Sequence, residues 1–226
     1  MTDIVHIGDA TLYHADCRDV LPTLPKFDLL LTDPPYGIGV NKMQLGNGKR
    51  KLFRGDLDWD EAPPDAETIS ALMAACAQSI VWGGNYFALP ASRCWLVWDK
   101  CTGANSFADA ELAWTDIDSC VRLIKHAWVG ANARDRDQER VHPTQKPLAV
   151  MAWCLTHAPA AKSVFDPYMG SGTTGVACAQ SGRSFTGIER ERKYFDIAVQ
   201  RIERAYAQGK LFEPTQPKPE QQEIAA

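Results

Sequence analysis

The stretch that most constrains the fold of this chain is residues 29–37, Leu-Leu-Leu-Thr-Asp-Pro-Pro-Tyr-Gly. Its three leucines form a short apolar run, which predicts a buried strand over residues 28–33. The two prolines that follow have a fixed φ and no N–H group, so a strand ladder must end before them. Asp33 precedes a proline, which disfavours helix there. A carboxylate and an aromatic ring are therefore expected at the carboxyl end of a strand, where open α/β sheets bind ligands.

Strand patterns alternate with helix patterns along the 226 residues, of which 45% are hydrophobic. Strands are predicted at residues 4–6, 11–15, 28–33, 79–82, 94–99, 110–115, 121–128, 163–165 and 184–188, and helices at 17–24, 68–78, 148–157, 173–181 and 190–206. Strands 110–115 and 121–128 are expected to be antiparallel. The alternation predicts an α/β fold with a mainly parallel, doubly wound sheet.

The composition argues against a membrane protein, a secreted protein and a protein built on disulfides or structural zinc. No apolar stretch approaches the roughly 20 residues that span a bilayer, and the N-terminus lacks the pattern of a signal peptide. The seven cysteines are scattered without a Cys-x-x-Cys pair, which argues against a disulfide framework and a structural zinc site. We therefore expect a cytoplasmic protein without a membrane segment.

Basic residues cluster on both sides of the predicted ligand-binding edge, although the net charge is −4. Residues 41–54 carry five bases and no acid, whereas residues 55–67 carry six acids and no base. Basic runs are more often solvated loops, but here they are also candidates for contacts with nucleic acid phosphates. The candidate DNA-binding residues are Lys42, Lys49, Arg50, Lys51, Arg54, Arg134, Arg136 and Arg140.

Residues 166–174, Asp-Pro-Tyr-Met-Gly-Ser-Gly-Thr-Thr, have the pattern of a strand end, a glycine loop and a helix start. Gly170 and Gly172 allow a sharp turn and a close backbone approach to a ligand, although the pattern is neither a Walker A loop nor a full G-x-G-x-x-G. Glu189 ends the next strand, where an acid can accept hydrogen bonds from ribose hydroxyls. A helix start at Thr173 favours an anionic group. The alternative is that the glycines only shape a turn and Glu189 caps a helix.

Residues 33–36 (Asp-Pro-Pro-Tyr), 142–147 (His-Pro-Thr-Gln-Lys-Pro) and 166–174 together resemble bacterial and phage DNA adenine N6-methyltransferases that use S-adenosylmethionine (SAM). The order of the motifs resembles the beta group, in which the catalytic motif precedes the SAM-binding loop. The resemblance covers about residues 10–207. It implies a Rossmann-like, circularly permuted SAM-dependent methyltransferase fold, with about seven mostly parallel strands and helices on both faces.

The resemblance also implies roles for individual residues. The catalytic residues would be Asp33, Pro34, Pro35 and Tyr36. The SAM-binding residues would be Asp16, Cys17, Asp33, Thr144, Lys146, Asp166, Gly170, Ser171, Gly172, Thr173, Thr174 and Glu189. The chain departs from many relatives at Tyr168 and Met169, and its target-recognition region is short, at about residues 103–141.

The predicted chemistry explains the catalytic motif. The lone pair of adenine N6 is delocalised into the ring, and a carboxylate and a carbonyl that accept its two N–H groups can direct it towards the methyl group. Asp33 and the Pro34 carbonyl suit this role, and Tyr36 offers a face for a base that has left the duplex. No metal is required.

Other activities fit the sequence less well. Cytosine C5 methylation needs a nucleophilic cysteine, usually after proline, and no Pro-Cys pair occurs. Relatives that methylate cytosine N4 mostly carry serine at the position of Asp33. An RNA adenine N6-methyltransferase and a non-catalytic SAM-binding DNA-recognition subunit remain alternatives.

We expect a methyltransferase domain over residues 1–208, with a long mobile excursion at 37–66, and a disordered tail over 209–226. The expected partner is double-stranded DNA. Relatives in this group are often homodimers, but neither the oligomeric state, the target sequence nor a restriction endonuclease partner can be inferred from the sequence.

Overall fold

A computed structural model describes residues 3–38, 44–45, 50–51, 62–102, 108–127 and 145–208, with the backbone alone at 44–45 and 50–51. Its strands are β1 (Asp3–Ile7), β2 (Ala10–His14), β3 (Phe27–Thr32), β4 (Gln44–Leu45), β5 (Arg50–Lys51), β6 (Cys76–Trp82), β7 (Cys94–Asp99), β8 (Ala110–Thr115), β9 (Arg122–Lys125), β10 (Ser163–Asp166) and β11 (Ser184–Glu189). Its α-helices are α1 (Cys17–Val20), α2 (Ala66–Ala74), α3 (Leu148–Thr156), α4 (Thr173–Ser181) and α5 (Arg192–Ala207).

Nine of the strands in this described part of the chain form one sheet, in the order β1-β2-β11-β10-β3-β6-β8-β7-β9. The pairs β2–β11, β11–β10, β10–β3, β3–β6 and β7–β9 are parallel, and the other three neighbouring pairs are antiparallel. The predicted mainly parallel α/β sheet is confirmed. The sheet is wider than the expected seven strands because β1 and β9 each add an edge strand.

Two strands from the C-terminal half, β10 and β11, lie between two strands from the N-terminal quarter, β2 and β3. Val164 pairs with Leu29 and Phe165 pairs with Leu30, in parallel. The carboxyl ends of β3 and β10 therefore lie side by side, although 133 residues separate Asp33 from Asp166 in the sequence. This order brings the proline-containing corner next to the glycine loop, as the permuted fold implies.

The apolar run of β3 is the centre of two cores. Leu29 and Leu31 belong to one cluster, which contains buried residues of α3, α4 and α5. Leu30 points to the opposite face and belongs to a second cluster with residues of α1 and α2. Successive side chains of a strand alternate between the faces of a sheet, so helices cover both faces and β3 is buried on both sides.

The predicted boundary between the helix at 68–78 and the next strand is wrong. Helix α2 ends at Ala74, and residues 76–78 belong to β6, where Cys76 pairs with Phe27 of β3. The sequence Ala-Ala-Cys-Ala fits a helix, but the backbone pairing with a central strand overrides that local preference. The helix begins at Ala66, where the Asp65 side chain accepts a hydrogen bond from the Thr68 N–H.

The remaining differences concern the far side of the sheet and the predicted excursion. β8 runs antiparallel to β6 and β7, as expected, whereas β9 pairs in parallel with β7 and ends at Lys125. In the predicted excursion, β4 and β5 form a two-residue antiparallel pair. Most of the excursion and the predicted tail lie outside the described residues. No helix of the described part is both long and apolar enough to cross a membrane.

We expect Leu31→Ala to lower the free energy of unfolding by about 2–5 kcal/mol, because it removes a fully buried side chain and leaves a cavity. Leu31 has no exposed surface, whereas Ile4 on the edge strand β1 is 50% exposed. Ile4→Ala is the matched control and should change the same quantity by only about 0.5 kcal/mol. Urea unfolding of both variants tests this, and equal losses would show that β3 is not the centre of the core.

Candidate active site

The corner after β3 holds a carboxylate with two close partners. Asp33 Oδ1 accepts a hydrogen bond from the Tyr36 hydroxyl at 2.5 Å, and Asp33 Oδ2 lies 2.6 Å from the Lys146 ammonium. Burial raises the pKa of Asp33 above its usual value, in spite of the opposing charge of Lys146. The corner therefore presents an acceptor group that is rigidly held, because Pro34 and Pro35 restrict the backbone on which it sits.

Lys146 connects this corner to a further pair of charges. Its ammonium lies 2.8 Å from Glu111 Oε2, and Glu111 Oε1 lies 2.6 Å from the Lys100 ammonium. Although burial opposes ionisation, the two ammonium groups lower the pKa of Glu111 to about 2. Sequence reasoning missed Glu111 and Lys100. The signal that could have found them is Lys100 directly after the end of β7, two residues beyond Trp98, which pairs with Glu111 on the antiparallel neighbour β8.

Aromatic side chains surround the ring of Tyr36. The Tyr86 ring stacks on it, with centroids 4.9 Å apart and an interplanar angle of 12°, and the Phe87 ring meets it edge-on at 6.2 Å. Gly83 has a φ of +69°, and a β-carbon there would collide with the Tyr36 ring. Tyr86 is 49% exposed. The loop after β6 therefore shapes the surface around Tyr36.

The glycine loop after β10 is folded tightly back on the protein. Gly170 has a φ of +52°, and its N–H donates to Glu189 Oε2 at 3.0 Å. Gly172 has a φ of +80°, and a β-carbon on it would lie 2.9 Å from the β-carbon of Ala198 on α5. Both glycines are thus required by the backbone, since residues with a β-carbon rarely adopt these angles.

Asp166 fastens this loop to β3. Asp166 Oδ1 accepts hydrogen bonds from the Thr32 hydroxyl at 2.8 Å and the Tyr168 N–H at 3.2 Å, and Oδ2 accepts one from the Thr174 hydroxyl at 2.6 Å. The residue is 2% exposed, and burial raises its pKa to about 6. These donors belong to β3, the glycine loop and α4, so Asp166 holds the two strand ends together.

Arg201 on α5 also holds the glycine loop in place. The sequence analysis did not identify this residue. Its Nη1 donates to the Ser171 carbonyl at 2.6 Å, to Ser171 Oγ at 2.8 Å and to Thr173 Oγ1 at 3.2 Å. Partial burial lowers its pKa to about 10. Its position within a charged helix carried no signal that it would reach the glycine loop.

The corner and the glycine loop open onto one cavity of about 350 Å³. Its walls come from five parts of the chain and include Asp16, Cys17, Asp33, Pro35, Pro63, Asp65, Pro167, Tyr168, Gly170, Glu189, Arg190 and Tyr194. This volume is within the range of about 300–1,000 Å³ that is usual for small-molecule sites. The structure therefore brings together the ends of β3 and β10, to which the sequence analysis assigns the catalytic motif and the glycine loop.

The acids of this cavity fit a ligand with hydroxyl and amino groups. Glu189 Oε1 accepts the Glu191 N–H at 2.7 Å and its Oε2 accepts the Gly170 N–H. Each carboxylate oxygen can accept a second hydrogen bond, so Glu189 can also bind ribose hydroxyls. Burial raises the pKa of Glu189 to about 7. Asp16 caps α1 and pairs with Arg18 at 2.7 Å, beside the buried Cys17.

The other predicted cofactor residues are absent from the cavity walls named above or lie outside the described part of the chain. Ser171, Thr173 and Thr174 are buried, and the contacts described above are with protein groups. Lys146 is directed at Asp33 and Glu111. It remains a prediction that these four residues and Gly172 contact the cofactor. Thr144 and the predicted DNA-binding residues Lys42, Lys49, Arg54, Arg134, Arg136 and Arg140 lie outside the described residues, and Arg50 and Lys51 are described only as backbone of β5.

Comparison with known proteins identifies relatives of this chain. The DNA methylase family model that joins N6 and N4 methyltransferases matches residues 93–200. The type II methyltransferase M.HinfI of Haemophilus influenzae is 24% identical over 243 aligned residues, which cover 85% of this chain and 68% of that protein. M.ScaI of Streptomyces caespitosus is 26% identical over 251 aligned residues, which cover 87% and 82%.

The chain is similar to these type II methyltransferases of bacteria. Among solved structures, it is similar to the M1.HpyAVI–SAM complex, with a TM-score of 0.55 and 22% identity over 85% of this chain and 99% of that one. This similarity confirms the predicted Rossmann-like fold. That structure is a complex with SAM, and the carboxylates and the size of the cavity described above fit a nucleoside of this kind.

We expect the free energy of unfolding to fall as the pH rises from about 4.5 to 7. Glu189 has a folded pKa of about 7, so in this range the folded chain holds a proton that the unfolded chain has lost. Glu189→Gln removes this contribution. In this variant the free energy of unfolding should therefore fall less between pH 4.5 and 7, by about 2 kcal/mol. Glu203→Gln, at an exposed position of α5, is the control. Urea unfolding at several pH values would contradict the assignment if both variants followed the wild-type curve.

Proposed function

We propose that this chain transfers the methyl group of SAM to the N6 amino group of adenine in DNA. The observation that carries the proposal is the shared cavity, onto which both the Asp33 corner and the glycine loop at Gly170 open. A methyl donor and an acceptor amine must meet within a few ångströms, and adjacent parallel strand ends place their two binding sites next to each other. We assign the methyltransferase domain to residues 1–208.

The cofactor would be held by groups on the walls of the cavity. Glu189 would accept the ribose hydroxyls, Asp16 and Cys17 would face the adenine, and the turn at Gly170 would let the backbone approach the methionine part. When bound, SAM supplies an electrophilic methyl group on a sulfonium. The hydrogen bonds of Asp166 and Arg201 keep the loop in this shape before binding, which reduces the entropic cost of forming the site.

Asp33 and the Pro34 carbonyl act on the target amine. Each would accept one N–H of the N6 group, so that the lone pair is directed away from the ring and towards the methyl group. The negative charge of Asp33 also stabilises the positive charge that develops on N6 during transfer. Asp33 must be ionised for both tasks, and the contact with Lys146 at 2.6 Å favours its ionised form.

The aromatic surface around Tyr36 would receive the target base after it leaves the duplex. In this structure the exposed Tyr86 ring covers part of Tyr36, so Tyr86 must shift, or share the stack, when a base enters. Stacking on an aromatic side chain contributes about 1–3 kcal/mol per base. That is comparable with the few kcal/mol needed to extrude a nucleotide. The predicted basic residues would contact the phosphates of double-stranded DNA.

Adenine is the favoured target because residue 33 is Asp. The family includes enzymes for adenine N6 and cytosine N4, and the cytosine enzymes that this motif resembles mostly carry serine at this position. The charged acceptor Asp33 and its ion pair with Lys146 support the adenine assignment. RNA adenine N6 methylation uses the same atoms and is the second candidate.

The direct test is to incubate the purified chain with methyl-labelled SAM and with DNA or RNA, and then to identify the labelled nucleoside. We expect N6-methyladenine from DNA. N4-methylcytosine would overturn the adenine assignment, and labelled RNA alone would overturn the DNA assignment. No transfer in any arm would favour the non-catalytic recognition subunit. Sequencing DNA from cells that express the chain would give the target sequence.

Asp33→Ala should reduce methyl transfer by at least about 100- to 1,000-fold, because it removes the charged acceptor of the target amine. SAM binding, measured by calorimetry, should remain detectable, since Glu189 and the glycine loop are unchanged. Asp118→Asn is the matched control, because Asp118 forms an exposed ion pair with Arg93. Wild-type transfer in the Asp33→Ala variant would refute the mechanism.

Two variants of Tyr36 separate stacking from hydrogen bonding. Tyr36→Ala removes the ring and should raise the KM for DNA about tenfold or more through lost base stacking. Tyr36→Phe keeps the ring but loses the hydroxyl that donates to Asp33, so it should lower kcat with little change in KM. Steady-state kinetics on an oligonucleotide with the mapped target decide this. Equal KM values for the two variants would exclude Tyr36 as the stacking surface.

A further inference from the structure

Four charged side chains form a continuous line at the carboxyl edge of the sheet. The Lys100 ammonium lies 2.6 Å from Glu111 Oε1, Glu111 Oε2 lies 2.8 Å from the Lys146 ammonium, and this lies 2.6 Å from Asp33 Oδ2. They come from four separate segments, after β7, in β8, before α3 and after β3. The proposed mechanism uses Asp33 and leaves Glu111 and Lys100 without a role.

The ammonium of Lys146 is shared between two carboxylates. It contacts Asp33 and Glu111 at nearly equal distances, and it donates a hydrogen bond to the Tyr36 hydroxyl at 3.2 Å. The Lys146 side chain is 6% exposed, and a lysine buried to this extent keeps its charge only with such partners. Lys146 is therefore not the exclusive partner of Asp33.

This sharing matters for the target amine. If Lys146 were paired with Asp33 alone, its full charge would act on the oxygen that has to accept an N–H from adenine. A second carboxylate competes for the ammonium and reduces that effect, because opposite charges at this distance interact strongly in a partly buried site. The Asp33 carboxylate would then keep more of its capacity as an acceptor.

We propose that Glu111 is a positioning residue that holds the Lys146 ammonium, so that Asp33 can accept the hydrogen bond of the target amine. Lys100 weakens the ion pair between Glu111 and Lys146, because it neutralises part of the charge of Glu111. The inference rests on the proposed methyl transfer and adds two residues to it. Neither residue needs to touch the substrate.

The charges around Asp33 allow a test in which two variants should shift the pKa of Asp33 in opposite directions. In the described part of the chain, the charged and titratable groups around Asp33 are Lys146, Tyr36, Glu111, Asp166 and, beyond Glu111, Lys100. The pH dependence of kcat/KM reports the pKa values of the enzyme without substrate. Activity should be lost as the pH falls through the pKa of Asp33, because protonation removes the charged acceptor.

Glu111→Gln removes a negative charge and should therefore lower the pKa of Asp33. We expect the acid limb of kcat/KM to move to lower pH by about one unit. The plateau should nevertheless fall about tenfold, because Lys146 then acts on Asp33 alone. Lys100→Gln removes a positive charge, so its acid limb should move to higher pH, with a smaller loss at the plateau.

Asp118→Asn serves again as the control, because it removes an exposed charge from the connection between β8 and β9, and it should not move the acid limb. SAM affinity by calorimetry should be unchanged in all three variants. Unmoved limbs, or limbs that move in the same direction in Glu111→Gln and Lys100→Gln, would overturn the role of Glu111. If Glu111→Gln does not fold, the Lys100→Gln limb alone decides, and a limb that does not move overturns the inference. An inactive wild-type chain would instead overturn the proposed function itself.

Discussion

The parallel pairing of β3 with β10 is the constraint on which the site depends. Two segments far apart in the chain become neighbours in one sheet, so Asp33 and the glycine loop start from adjacent positions. The hydrogen bond from Thr32 to Asp166 closes the gap between the two strand ends. A buried acid with a raised pKa is costly unless its oxygens are used, and Asp166 satisfies this requirement with three donors from both sides of the junction.

Much of this arrangement could be predicted because it is encoded locally. The apolar run of β3 ends at two prolines, and the glycines at 170 and 172 occupy backbone angles that other residues rarely adopt, so each strand end can be recognised without its neighbours. The side chains that connect these ends could not be predicted in the same way. Glu111 and Arg201 act through partners that lie 35 and 30 residues away in the sequence, and only the fold makes these pairs visible.

The boundary between α2 and β6 also shows that local sequence does not determine tertiary contacts. Residues 76–78 follow a helical composition but belong to the centre of a sheet, because the backbone of β3 offers them hydrogen-bonding partners. The proposed chemistry also combines two kinds of information. The catalytic carboxylate follows from a motif, whereas its charge environment, with two ammonium groups and a second carboxylate, is a property of the tertiary structure.

Gly83 shows how a residue outside the proposed catalytic motif can shape the surface that we propose for the target base. Its hydrogen atom leaves the space that the Tyr36 ring fills, so the ring lies directly against the backbone that follows β6. The position of the ring is therefore set by the backbone directly after a central strand. A flat surface fixed in this way favours planar groups by their shape, and a side chain at position 83 would displace the Tyr36 ring together with the hydroxyl that donates to Asp33.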